Sequence, residues 1–241
     1  MHLENSPRDK TAAVLFDLDG TLIDTAGEIA DAVNDVLTQT SISAPLPHDL
    51  IRNWIGHGAK VLFTKALKHC DVPAQELEAK VEQHWQLFYE AYRARSGTNS
   101  NPYPAMRECI DALRHANIKL AVVTNKDSAF TQRVLAAHGL LDCFDAVTCG
   151  DTYEKKKPDP LPLLATLEQL ATSTTEGLFI GDSMTDVRTG KAARVETWVL
   201  THGYHQGAFA ASGNEIFPER FLDHFTELRK LIYSSYIAPH G

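Results

Sequence analysis

The sequence has few cysteines and lacks the patterns of a disulfide scaffold or a zinc site. Only four cysteines occur among 241 residues, and no two of them form a C-x-x-C pair. Four are too few for a disulfide scaffold in a chain of this size, so we expect free, mostly buried thiols. The HExxH motif and the Cys/His spacings of zinc sites are also absent, which argues against a zinc hydrolase.

Long apolar runs and excess positive charge are also missing. The first ten residues are polar and lack the apolar core of a signal peptide, and no stretch approaches the roughly 18 apolar residues of a membrane span. The 23 Lys and Arg against 31 Asp and Glu give a net charge of −8, which repels nucleic acid and anionic lipid. We expect a cytoplasmic monomer or homodimer that binds neither membrane nor nucleic acid, and any anionic ligand would need a locally positive site.

What is present is typical of an α/β protein. Hydrophobic residues make up 44% of the chain and charged residues 22%, as in ordinary globular proteins. Short apolar runs that end in polar or glycine residues alternate with helical patterns, which predicts a doubly wound parallel sheet. The predicted strands are 12–16, 118–123, 146–148, 178–180 and 195–200, and the predicted helices are 105–116, 128–138, 161–171, 184–193 and 218–233.

One segment breaks this alternation. Residues 23–95 contain helical patterns with no strand among them, which predicts an all-helical cap inserted into a core of residues 1–22 and 96–241. A segment rich in glycine, asparagine and proline at 96–104 is typical of a return path into the core. The predicted cap helices are 28–39, 59–68 and 74–93.

The first strand ends in a pair of carboxylates. Asp17 and Asp19 stand two residues apart, so both side chains can project to one face, and Gly20 permits a tight turn. Their mutual repulsion requires a counter-charge, which Mg²⁺ supplies because it prefers oxygen ligands from a few carboxylates and water. An isolated pair of this kind could equally be a solvated turn that caps a strand.

A second acidic cluster makes the metal site more specific. Asp182 and Asp186 also follow an apolar strand, and ligands of doubly wound sheets bind outside the carboxyl ends of the strands. If the two strands are neighbours, Asp17, Asp19 and Asp182 converge on one cation. Asp186 would then hold a ligating water or side chain. The alternative is that Asp182 or Ser183 only caps the following helix.

Complementary groups for an anion follow other predicted strands. Lys157 directly precedes Pro158 at a helix start, and Thr124 and Asn125 end the strand at 118–123. Lysine supplies positive charge, and the hydroxyl and amide supply hydrogen-bond donors. An aspartate nucleophile, a second carboxyl group, a divalent metal, a lysine and these donors together indicate phosphoryl transfer through an aspartyl-phosphate.

These residues resemble the haloacid dehalogenase superfamily. The inserted helical segment is similar to the small cap of its phosphoglycolate phosphatase-like branch, and so are RNWIGHG at 52–58 and THGY at 201–204. The superfamily's four motifs occur here in order, each at a predicted strand end: DLDGTL at 17–22, Thr124 with Asn125, Lys157 with Pro158, and GDSMTD at 181–186.

The resemblance implies a role for each motif residue. Asp17 attacks phosphorus and binds Mg²⁺, while Asp19 protonates the leaving alkoxide and then activates water. The backbone carbonyl of Asp19 and the carboxylate of Asp182 complete the protein's metal ligands, with Asp186 in support. The transferring phosphoryl oxygens are held by Thr124, Asn125 and Lys157.

The implied reaction is hydrolysis of a small phosphorylated metabolite, with 2-phosphoglycolate as the first candidate. Its carboxylate requires a donor in the cap, and we predict Arg52, His57 or Lys60 for this contact. Alternative substrates are a sugar phosphate, an amino-sugar 6-phosphate or pyrophosphate. An alternative activity is that of a phosphomutase, because phosphomutases share the same core. A catalytically silent binding protein of this fold is the alternative outside the enzymes.

Overall fold

The computed structural model describes residues 11–204, 209 and 216–237. Eight strands and nine helices are found in these residues, with a short 3-10 helix at Leu141–Cys143. The strands are β1 (Ala13–Phe16), β2 (Ile23–Asp24), β3 (Asn101–Pro102), β4 (Lys119–Val123), β5 (Ala146–Thr148), β6 (Gly177–Gly181), β7 (Glu196–Leu200) and β8 (Arg220–Leu222). The helices are α1 (Ala26–Gln39), α2 (His48–Arg52), α3 (Ala59–His69), α4 (Leu77–Arg95), α5 (Met106–His115), α6 (Ser128–Ala137), α7 (Leu161–Gln169), α8 (Met184–Ala193) and α9 (Phe225–Ile237).

A parallel sheet forms the core, as predicted. Six strands pair in the order β5-β4-β1-β6-β7-β8, and successive side chains of β1 point to opposite faces. Val14 and Phe16 pack with residues of α5, α6 and α9, whereas Ala13 and Leu15 pack with residues of α7 and α8. The structure thus confirms a doubly wound α/β fold whose central strand is buried on both faces.

The cap consists of helices α1 to α4 and has its own apolar core. Phe63 of α3 and Phe88 of α4 are fully buried there and stack with ring centroids 4.5 Å apart. Phe130 and Tyr204 of the α/β core also belong to this cluster, so the cap is packed onto the core. No helix in the described part of the chain is long and apolar enough to cross a membrane.

Two short strands connect the cap to the core. β2 and β3 pair antiparallel, with Ile23 opposite Pro102 and Asp24 opposite Asn101. β2 lies inside the segment that the sequence pattern assigns to helices alone, so that prediction is wrong for these two residues. The pairing joins residues far apart in sequence, and no local periodicity indicates it.

The predicted helix at 218–233 is also wrong in its first part. Residues Arg220–Leu222 form β8, the edge strand beside β7, with Trp198 opposite Arg220. The last helix therefore begins only at Phe225. Three residues are too short a segment for alternation to be recognised, and the pairing with β7 decides their conformation.

Candidate active site

The loops that follow three neighbouring strands form the site. Because β1 lies between β4 and β6 in the sheet, the residues after these strands meet at one edge. Asp17 and Asp19 follow β1, Thr124 and Asn125 follow β4, and Asp182 follows β6. All of these except Asp19 are buried.

Asp17 lies at the centre of this group and is paired with a lysine. The Lys157 ammonium is 2.9 Å from Oδ1 of Asp17 and 2.7 Å from Oδ1 of Asp186. Burial raises the pKa of Asp17 to about 7, and the charges of Asp186 and Asp19 add to this effect, while Lys157 lowers it. Burial opposes the charged form of Lys157, but Asp17 and Asp186 raise its pKa overall. Lys157 therefore remains a cation beside Asp17.

Three carboxylates form a candidate metal centre. Asp17, Asp182 and Asp186 each offer an oxygen, and these atoms lie within 4.8 Å of one another. Burial raises the pKa of Asp182 well above its usual range, and Asp186 and Asp17 raise it further. An all-oxygen donor set of this kind suits a hard divalent cation such as Mg²⁺. Three buried carboxylates lie here beside a single lysine, so a bound cation would reduce the repulsion among their negative charges.

The position of Asp182 is fixed by the backbone around it. Tyr204 N–H donates to its Oδ2 at 2.8 Å, and the chain passes close to it at two glycines. A Cβ atom at Gly20 would lie 2.5 Å from Asp182 Oδ2, and one at Gly203 would lie 2.2 Å from Asp182 Cβ. Gly20 also has a φ of 82°, in a region that glycine adopts without strain. Larger residues at these positions would displace the carboxylate.

Asp186 is held by the start of helix α8. Ser183 and Asp186 form a capping box, in which the Ser183 hydroxyl accepts from Asp186 N–H and the Asp186 carboxylate accepts from Ser183 N–H. The Ser183 hydroxyl also lies 2.6 Å from Asp186 Oδ2. The predicted helix cap is therefore present, and it fixes the Asp186 carboxylate within the carboxylate cluster.

Asn125 connects two of the predicted motifs to each other and to the cap. Its Oδ1 accepts from Lys157 N–H at 2.9 Å, and its Nδ2 donates to the Lys157 carbonyl at 2.9 Å and to the Gly56 carbonyl at 3.0 Å. The Lys157–Pro158 peptide bond is cis. The Thr124 hydroxyl accepts from Lys126 N–H at 3.2 Å, so its own proton is available to donate.

Asp19 has surroundings different from those of Asp17. Its Oδ1 accepts from the Thr25 hydroxyl at 2.6 Å and from the Lys126 ammonium at 2.9 Å. Its side chain is not part of the carboxylate cluster found among the described residues. The carboxylate of Asp19 therefore lies outside the carboxylate cluster, and Asp19 lines the cavity between core and cap.

Sequence reasoning missed Lys126. Its side chain is 1% exposed and donates to the Tyr92 hydroxyl at 2.7 Å, while Glu28 Oε1 lies 3.9 Å from its nitrogen. Burial opposes the charged form, but Asp19, Tyr92 and Glu28 raise the pKa of Lys126 overall. The available signal was its position directly after Thr124 and Asn125, at the same strand end.

A small cavity of about 30 Å³ lies between core and cap. The cap closes it with apolar side chains and with the glycines on either side of His57. Its core side is polar and includes both aspartates of the first motif. The lining residues are Asp17, Asp19, Thr124, Asn125 and Lys126 from the core and Ile29, Ile55, Gly56, Gly58, Ala59, Leu62 and Tyr92 from the cap.

None of the three predicted cap donors is among the described residues that line this cavity. Arg52 Nη2 lies 2.9 Å from Asp24 Oδ2, and its guanidinium covers the Tyr204 ring. Lys60 pairs with Glu82 at an exposed position. Each of these two cations thus forms an ion pair with an acidic residue, and a local sequence motif does not predict that pairing. His57 lies between the lining residues Gly56 and Gly58.

Known proteins resemble this chain along most of its length. The profile of the haloacid dehalogenase-like hydrolase family matches residues 14–200. A phosphoglycolate phosphatase from Psychrobacter arcticus is 38% identical over 227 residues, covering 93% of this chain and 97% of that protein. A phosphoglycolate phosphatase from Agrobacterium fabrum is 32% identical over 233 residues, covering 96% of both chains.

Solved structures share the fold. The crystal structure of a predicted phosphoglycolate phosphatase from Haemophilus somnus has a TM-score of 0.78 at 26% identity, covering 92% of this chain and 98% of that chain. CbbY from Rhodobacter sphaeroides, solved in complex with phosphate, has a TM-score of 0.73 at 23% identity, covering 90% and 96%. At 23% identity, the similarity to CbbY shows a shared fold and nothing more.

Proposed function

Because the chain belongs to the haloacid dehalogenase-like hydrolase family, we propose that it is a magnesium-dependent phosphatase that converts 2-phosphoglycolate and water to glycolate and phosphate. The observation that carries this proposal is the pairing of buried Asp17 with Lys157 at 2.9 Å, beside two further buried carboxylates. A nucleophilic carboxylate, a fixed cation and an acidic metal site in one place are what phosphoryl transfer requires.

In the first step, a carboxylate oxygen of Asp17 attacks phosphorus and the bond from phosphorus to the ester oxygen breaks. Asp19 donates a proton to the departing alkoxide, which leaves as the glycolate hydroxyl. Lys157, 2.9 Å from Asp17, offsets negative charge on the transferring group. Thr124 lines the cavity and can donate a hydrogen bond to a phosphoryl oxygen.

In the second step, water attacks phosphorus of the aspartyl-phosphate and Asp19 removes its proton. This restores the Asp17 carboxylate and releases phosphate, so that Asp19 acts first as an acid and then as a base. A magnesium ion held by Asp17, Asp182 and the backbone carbonyl of Asp19 would supply positive charge to the phosphoryl oxygens. Asp186 accepts a hydrogen bond from the Lys157 ammonium and thereby orients that lysine.

The relatives support the choice of substrate. Phosphoglycolate phosphatases from several bacteria are 30–38% identical to this chain over most of its length, and both aspartates of the first motif line the cavity between core and cap. CbbY, which has the same fold, has also been solved with xylulose 1,5-bisphosphate, so a sugar phosphate is the comparison that tests the substrate most sharply.

The experiment is a measurement of kcat/KM for a set of small phosphate compounds with Mg²⁺. The set contains 2-phosphoglycolate, xylulose 1,5-bisphosphate, an amino-sugar 6-phosphate and pyrophosphate. We expect the highest value for 2-phosphoglycolate, with one phosphate released to water for each ester consumed. A strong preference for another ester would contradict the substrate, and phosphate transfer to a second sugar hydroxyl would contradict hydrolysis.

A further inference from the structure

We propose that Lys126 binds the carboxylate of the substrate and thereby determines the preference for 2-phosphoglycolate over uncharged phosphate esters. This inference rests on the proposed function, because it concerns the part of the same substrate that does not react. In the proposed reaction the phosphate lies at Asp17, which lines the cavity, so the other end of the substrate requires a separate positive group.

Lys126 is the only lysine or arginine among the described residues that line the cavity. The cap contributes apolar side chains, glycines and Tyr92 to the lining, and none of these neutralises an anion. Arg52 and Lys60 are not among the lining residues. An anionic group that enters this cavity beside Asp19 therefore meets the ammonium of Lys126.

The distance of Lys126 from the reacting atoms also fits. Its ammonium is 2.9 Å from Oδ1 of Asp19, the group that we propose protonates the ester oxygen. In 2-phosphoglycolate only two covalent bonds separate that ester oxygen from the carboxyl carbon. If the ester oxygen of the substrate contacts Asp19, its carboxylate therefore lies close to Lys126, which contacts Asp19.

The ammonium retains donor capacity for a ligand. Of its three N–H groups, one is directed to Asp19 and one to the Tyr92 hydroxyl at 2.7 Å. Glu28 Oε1 is 3.9 Å away, a distance at which it attracts the ammonium but accepts no hydrogen bond from it. The Tyr92 ring lies against the same nitrogen, with its centroid 4.8 Å away. The nitrogen is thus held in place by cap and core while one donor remains for substrate.

The test compares two substrates in the parent and in Lys126→Met. The second substrate is 2-hydroxyethyl phosphate, which has the same chain length and a neutral hydroxymethyl group in place of the carboxylate. We expect Lys126→Met to reduce kcat/KM for 2-phosphoglycolate by about 100-fold or more, as for loss of a buried charge partner, and for 2-hydroxyethyl phosphate by less than about tenfold. Inhibition by glycolate should weaken in parallel, while inhibition by inorganic phosphate is retained.

Controls separate this role from a structural one. Lys126→Gln keeps an amide donor for Asp19 and Tyr92 without the charge, and should show the same loss of preference if Lys126→Met does not fold. Lys155→Met removes an exposed lysine that pairs with Asp159, and should retain the parent's preference. Equal losses for both substrates in the Lys126 variants would overturn the inference and leave the proposed function intact. A parent enzyme that does not prefer 2-phosphoglycolate to 2-hydroxyethyl phosphate would overturn both.

Discussion

At the scale of single residues, the two aspartates of the first motif differ in what surrounds them. Asp17 contacts Lys157 and lies in the carboxylate cluster, whereas Asp19 contacts Thr25 and Lys126. Different surroundings allow two neighbouring carboxyl groups to perform different chemistry. The geometry therefore separates a group suited to nucleophilic attack from one suited to proton transfer.

Replacing Asp19 tests the proton-transfer role. Asp19→Asn keeps an oxygen that can accept from Thr25 and Lys126 but cannot donate or remove the required proton. We expect kcat for 2-phosphoglycolate to fall by about 10²- to 10⁴-fold, with a much smaller change in the affinity for inorganic phosphate as an inhibitor. Steady-state kinetics would measure both, and unaltered turnover would remove the acid–base role.

A methyl group at Gly203 tests whether the position of Asp182 matters for metal binding. Gly203→Ala would place Cβ 2.2 Å from Asp182 Cβ, so the carboxylate must move. The Mg²⁺ concentration that gives half-maximal activity should rise by about tenfold or more. Gly139→Ala is the control, because Gly139 follows the far end of helix α6 and a Cβ atom there would contact only Arg107 Nη2, at 3.3 Å. An equal magnesium requirement in Gly203→Ala and the parent would contradict the role of Asp182.

At the scale of elements, helix α8 is positioned by its first turn. Ser183→Ala removes the hydroxyl that accepts from Asp186 N–H and contacts its carboxylate at 2.6 Å. We expect the free energy of unfolding to fall by about 1 kcal/mol, measured by urea denaturation. Ser173→Ala is the control: it removes a serine from an exposed turn and should change the free energy of unfolding by less than about 0.5 kcal/mol. Equal changes in both variants would contradict the importance of the capping box.

Elements with a strong local pattern could be predicted from the sequence. β5 and α8 occur at the predicted residues, because an apolar run or a helical period with an N-cap is visible locally. β2 and β8 could not be predicted, since pairing with a distant strand determines their conformation. The same reason explains Arg52 and Lys126, whose partners Asp24 and Asp19 belong to other elements. A sequence motif predicts which residues lie together in the site, but it does not predict the ion pairs that they form with residues of other elements.

At the scale of the whole molecule, the cavity exists only where the cap is packed on the core. Phe130 of the core stacks on Tyr92 of the cap with ring centroids 4.1 Å apart, and Tyr92 accepts from Lys126. The Asn125 amide reaches the Gly56 carbonyl of the cap. These contacts enclose the reacting aspartates and would exclude bulk water once substrate is bound.

Metal binding should stabilise the whole fold through the carboxylate cluster. A ligand that binds the native state alone raises its stability, so saturating Mg²⁺ should raise the melting temperature of the parent by about 5 °C. Asp182→Asn should lose most of this rise, whereas Asp159→Asn, at a half-buried position outside the cluster, should retain it. Thermal unfolding with EDTA or with Mg²⁺ measures the difference. The same rise in Asp182→Asn and the parent would contradict the proposed metal site.

The most direct test is the rate of Mg²⁺-dependent phosphate release from 2-phosphoglycolate by the parent and by Asp17→Asn. The amide is close in size to the carboxylate but cannot attack phosphorus, so we predict a loss of at least about a thousandfold in a protein with an unchanged circular dichroism spectrum. Equal rates in the two proteins would contradict the central claim that Asp17 is the nucleophile.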